Sequence, residues 1–63
     1  MKLIKLKQVM ECTGLARSTV YKFMAEGQFP KPVKLGVRMV AWVETEVHAW
    51  VHEKISTRDT AKI

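Results

Sequence analysis

The segment Gly27-Gln28-Phe29-Pro30-Lys31-Pro32 constrains this chain more than any other. Neither proline can donate a backbone hydrogen bond, and each drives the residue before it toward an extended conformation. No helix passes through the middle of the molecule. Gly27 tolerates the positive φ that closes a preceding helix, and Gly14 offers a second such stop upstream. These breaks divide 63 residues into segments that must share one core, since folded domains begin near ~50 residues. A core of that size contributes roughly 3–5 kcal/mol of net stability, and the lone Cys12 cannot form an intrachain disulfide to add to it. The cysteine usage fits a reducing cytosol.

Between the breaks the patterns are short. Leu3, Ile4 and Leu6 suit either a brief edge strand or a lead-in to a helix. Residues 7–12 favour a helix, with Leu6, Val9, Met10 and Thr13 at helical spacing and Gly14 as its stop. A second helix is predicted over residues 16–26, its apolar stripe being Ala16, Val20, Phe23 and Met24. After the proline segment, Val33-Lys34-Leu35 and Met39-Val40-Ala41-Trp42 read as a β-hairpin joined by Gly36-Val37-Arg38. A third helix is expected from Glu44 to Ile55, where Val43, Val47, Trp50, Val51 and the stem of Lys54 form one stripe. Glu44 and Glu46 near its start and Lys54 near its end complement the helix dipole. Fraying is expected from Ser56, which leaves a domain over residues 1–55 and a tail over 56–63. The expected fold is mainly α with a small β-hairpin, a single-domain winged helix-turn-helix.

Charge is distributed unevenly along this frame. Residues 1–42 hold eight Lys or Arg and two Glu, net +6, whereas residues 43–63 hold three against four, net −1. A basic body favours a polyanionic partner. The longest apolar run, Met39 to Val43, is far below the ~18 residues of a bilayer span, so a membrane role is not expected.

In a helix-turn-helix the second helix presents its outer face to the major groove, which at ~12 Å admits an α-helix. The stripe of Val20, Phe23 and Met24 turns Ser18, Tyr21, Lys22 and Ala25 outward, with Arg17 and Thr19 on the flanks. Arg17 and Lys22 can bond guanine edges or neutralise phosphates, and Ser18 and Thr19 can reach phosphate oxygens. Tyr21 reads either as an exposed contact or as part of the core. On the hairpin, Lys34 and Arg38 flank Gly36 and can lay charge along the backbone or into a minor groove, Arg38 being the first choice. Lys31, between two prolines, is a further phosphate candidate. Each of these cations also has an ordinary reading as a solvated surface charge.

His48 and His52 stand at i, i+4, a spacing that can hold a metal, yet no Glu follows His48 and no third ligand lies at usable spacing. No metal or other cofactor is expected. Trp42 and Trp50 read as core, with Trp50 anchoring the third helix. No nucleophile with a base, paired carboxylates or phosphate-cradling Gly loop is present in the sequence, so an enzyme is not expected.

The strings Leu6-Lys7-Gln8-Val9-Met10 and Thr13-Gly14-Leu15-Ala16-Arg17-Ser18-Thr19-Val20-Tyr21 resemble the AlpA-like phage regulatory family. So do Glu26-Gly27-Gln28-Phe29-Pro30-Lys31-Pro32-Val33-Lys34-Leu35-Gly36 and Val40-Ala41-Trp42 through Val47-His48-Ala49-Trp50-Val51, in the same order. The resemblance covers about residues 3–55. It implies a small winged-helix DNA-binding protein, related to excisionases and the MerR-type DNA-binding head, carried by bacteria and their prophages. By position, Arg17, Ser18, Thr19, Tyr21 and Lys22 would form the recognition helix and Arg38 the wing contact. Ala16 stands where the family commonly has a Ser whose oxygen caps the helix.

The leading expectation is sequence-specific binding of double-stranded DNA as a transcriptional regulator of a prophage or mobile element. An excisionase-like factor that bends DNA for a recombinase is the second. From another class, a protein-interaction module would use a basic face and a patch of Tyr21, Phe29 and Trp42. Expected partners are duplex DNA, a second copy on repeated half-sites, and a phage integrase or RNA polymerase, in the bacterial cytoplasm at the nucleoid.

Overall fold

The computed structural model describes residues 1–61. Strand β1 (Leu3–Ile4) leads into helices α1 (Leu6–Thr13) and α2 (Arg17–Ala25), then β2 (Val33–Lys34), β3 (Val40–Val43) and α3 (Glu44–Ala61). The three strands form one antiparallel sheet in the order β1-β3-β2, with Leu3 opposite Val43 and Ile4 opposite Trp42 on one side of β3. Val33 and Lys34 face Ala41 and Val40 on the other side. This is the expected mainly α winged helix-turn-helix, with a third strand added. Leu3-Ile4 is therefore an edge strand, and the Glu44 N–H donating to the Lys2 carbonyl at 2.8 Å prolongs the pairing into the start of α3.

Local chemistry sets the helix ends. The Gln8 carboxamide accepts the Lys5 N–H at 3.0 Å at the entry to α1. Gly14, at φ 72°, ends that helix and donates its N–H to the Met10 carbonyl at 2.8 Å. Helix α2 closes in a Schellman motif: Gly27 N–H meets the Met24 carbonyl at 3.1 Å and Gln28 N–H the Phe23 carbonyl at 2.8 Å. A Cβ on Gly14 would meet no atom within 4 Å, so Gly14→Ala carries only the backbone cost of a left-handed L-residue. We expect it to lower stability by about 1 kcal/mol and the melting temperature by roughly 4–8 °C, read by circular dichroism. An unchanged melting temperature would show that the turn does not need the left-handed conformation.

The core is made by Ile4, Val9, Val20, Phe29, Trp42 and Val47, so every helix, strands β1 and β3 and the proline segment contribute. Trp42 is fully buried and Trp50 is half-buried against the core, so the two tryptophans read as core differ in depth. The reason lies in their elements: β3 is the central strand, whereas Trp50 lies along the margin of α3, its ring tilted against Phe23 and edge-on to Phe29 at 4.9 Å. The placement of Ala16 in the apolar stripe is corrected. The residue is exposed at the N-cap of α2, with extended backbone and no side-chain capping bond, and so lies outside the buried stripe.

Two elements differ in length from the sequence reading. The hairpin strands stop at Lys34 and resume at Val40, because the Leu35 and Gly36 N–H groups both converge on the Met39 carbonyl, at 2.7 and 3.2 Å, and close a longer tip. Helix α3 runs past Ser56 to Ala61, since no Gly or Pro follows Gly36 to stop it. The Thr57 and Thr60 hydroxyls donate to the carbonyls of Glu53 and Ser56, at 2.9 and 2.8 Å, along the extension. Residues 62 and 63 of the expected tail lie outside the described residues. The apolar stripe of α3 belongs to its first half; from His52 to Thr60 every residue is exposed.

Candidate nucleic-acid interface

The elements carrying the candidate cations are held by the two tryptophans. The Trp42 indole Nε1–H donates to the Pro30 carbonyl at 3.2 Å, and the Trp50 indole Nε1–H donates to the Gln28 carbonyl at 2.7 Å. With Phe29 buried between these bonds, the segment after α2 is fixed at three successive residues. The loop bearing Lys31 therefore leaves a rigid base. Sequence reasoning treated both tryptophans only as apolar bulk; the available signal was that a buried indole N–H requires an acceptor, and a proline segment leaves free carbonyls.

Helix α2 buries Val20 and half-buries Phe23 and Met24, as its stripe requires. Arg17, Ser18, Tyr21, Lys22 and Ala25 are exposed and Thr19 is half-buried, so Thr19 sits at the margin of the outer face. Tyr21, for which the sequence left two readings, is 42% exposed. The Arg17 guanidinium carbon lies 6.0 Å from the Tyr21 ring centroid, at the outer range of a cation–π contact. That contact sets a cation beside an aromatic hydroxyl on the exposed face, from residues one helical turn apart.

Lys31, Lys34 and Arg38 are all exposed along the loop and hairpin. Among the described residues the ion pairs are Lys2 with Glu44 at 3.8 Å and Arg58 with Asp59 at 2.9 Å. Neither involves Arg17, Lys22, Lys31, Lys34 or Arg38. Their charges are not neutralised within the fold, and a phosphate would meet no bound carboxylate to displace.

The other candidate constellations are weaker. Packing of α1 on α3 brings Cys12 Sγ to 3.9 Å from His48 Nε2, a juxtaposition invisible in the sequence. No group of three or more His, Cys, Asp or Glu residues suited to a metal ion occurs among the described residues. The apolar patch of Tyr21, Phe29 and Trp42 is not formed, because Phe29 is 6% and Trp42 0% exposed. No helix among the described residues is long and apolar enough to cross a membrane.

Comparison with known proteins matches residues 2–55 to the family described as "Prophage CP4-57 regulatory protein (AlpA)". The chain is 42% identical over 55 residues to "Uncharacterized protein ORF88" of Enterobacteria phage P4, an alignment covering 87% of this chain and 62% of that protein. It therefore spans less than two thirds of that relative's length. It is 32% identical over 59 residues to "DNA-binding transcriptional activator AlpA" of Escherichia coli (strain K12), with 84% of each chain covered. The match runs from β1 to Ile55 within α3 and so takes in the whole buried core; the chain belongs to the AlpA family of prophage regulatory proteins.

Proposed function

We propose that this chain is a regulator that binds double-stranded DNA, with α2 in the major groove and the hairpin wing against the flanking backbone. One observation carries the reading: the outer face of α2 presents Arg17, Ser18, Tyr21 and Lys22 to solvent with both cations free of ion pairs among the described residues. The E. coli relative, a DNA-binding transcriptional activator by its printed name, supports it. Arg17, braced by Tyr21, supplies a planar donor for a guanine edge, and Lys22 and Ser18 supply phosphate contacts. Thr19 contributes from the margin of the face. Lys31, Lys34 and Arg38 extend the positive surface along the duplex.

The domain over residues 1–55 holds this machinery, and a second copy on repeated half-sites, RNA polymerase or a phage integrase would complete the assembly at the bacterial nucleoid. Regulation of a prophage promoter is the leading role. An excisionase-like role at attachment-site DNA uses the same interface; a reporter driven in cells without integrase separates the two.

The test is a salt titration on a fluorescein-labelled mixed-sequence duplex of about 30 bp. Four phosphate-facing cations, Lys22, Lys31, Lys34 and Arg38, predict a slope of log affinity against log salt near −3.6. A slope shallower than about −1 would overturn the reading.

A further inference from the structure

The tip of the wing carries apolar side chains where solvent is most accessible. Val37 is 92% exposed, Met39 52% and Leu35 47%, all within the five residues between β2 and β3. A single exposed aliphatic residue needs no explanation, but three on one closed loop are concentrated beyond ordinary scatter. The loop is also shaped. The Leu35 and Gly36 N–H groups share the Met39 carbonyl, which sets Leu35 beside Met39 and leaves Val37 at the apex.

Charge identifies the occupant. Lys34 precedes the tip and Arg38 lies within it next to Val37, both exposed and neither in an ion pair among the described residues. A surface complementary to cation, aliphatic apex, cation has two anionic walls with an apolar floor between them. The minor groove of a duplex has that construction, two phosphate rows over stacked bases.

We propose that Val37, at the apex between Leu35 and Met39, is a wedge that enters the minor groove at a base step and kinks the duplex, with Lys34 and Arg38 neutralising nearby phosphates. The inference rests on the DNA-binding reading above and adds to it a mode of recognition. A wedge reads the ease of unstacking, so flexible pyrimidine–purine steps are preferred over stiff A-tracts at positions that α2 never touches.

The experiment uses the full chain and two end-labelled duplexes of about 30 bp, one with central TA steps and one with a central A-tract, reporting end-to-end energy transfer. The wild type is expected to raise energy transfer on the TA duplex. Val37→Ala removes the apex with little structural cost at so exposed a site, and is expected to abolish that rise. It should also weaken TA binding roughly tenfold while leaving A-tract binding unchanged. Val37→Lys keeps the wing near phosphate and adds a contact, steepening the salt slope by about 0.9, yet should also abolish the rise. Energy transfer that persists in both variants would overturn the wedge. So would loss of self-association in sedimentation without change in energy transfer, which would assign the tip to a second copy. Wild-type binding with a steep salt slope but no bend refutes the wedge alone, whereas absence of duplex binding refutes the underlying reading.

Discussion

Trp42→Ala is expected to bring the net stability close to zero, leaving roughly half or more of the molecules unfolded at 25 °C. The side chain is fully buried at the centre of the three-stranded sheet, directly opposite Ile4, and its indole N–H ties β3 to the proline segment at the Pro30 carbonyl. Truncating a buried Trp costs about 3–5 kcal/mol, as much as the whole net stability of so small a core. Trp42→Phe should be milder, since it keeps a ring in the site but forfeits the indole bond to Pro30. Trp50→Ala, at a half-buried position, should cost about 1–2 kcal/mol even though it also frees the Gln28 carbonyl. Urea denaturation followed by circular dichroism gives the order. A larger loss from Trp50→Ala than from Trp42→Ala would show that the weight of the core lies on α3 and not on the sheet.

That order marks the boundary of what residue patterns could reveal. Gly14, Gly27 and the Pro30–Pro32 pair fixed the ends of α1 and α2 because their constraints are local to the backbone. The outward face of α2 was legible for the same reason: Val20, Phe23 and Met24 leave one helical orientation open. The rank of the two tryptophans was not legible, because it depends on Leu3-Ile4 pairing with β3 from the far end of the chain. Two residues carry no periodicity, so that strand remained one option of two. Ala16 fell outside the core because α2 begins one residue later than its apolar spacing suggests. The tip of the wing was read for Lys34 and Arg38 alone, since exposure of Val37 follows from where the loop closes and not from its composition.

The charge pattern that was legible supports the largest expected effect on binding. Arg17→Ala combined with Lys22→Ala should reduce affinity for a mixed-sequence duplex about a hundredfold, or ~2.8 kcal/mol, with the melting temperature nearly unchanged. Both side chains are exposed and outside the core, so their removal leaves Val20, Phe23 and Met24 in place. The loss should be unequal in kind. Lys22, a point charge facing phosphate, should flatten the salt slope by about 0.9, whereas Arg17, held over the Tyr21 ring, should also relax discrimination among sequences. Arg58→Ala is the control for bulk charge. It removes one unit of charge, as each α2 substitution does, from the far end of α3, where the guanidinium is paired with Asp59, and should change affinity little. Equal losses from the Arg58 and α2 variants would mean that the protein meets DNA as a diffuse cation. A loss confined to α2 identifies that helix as the surface that engages the duplex.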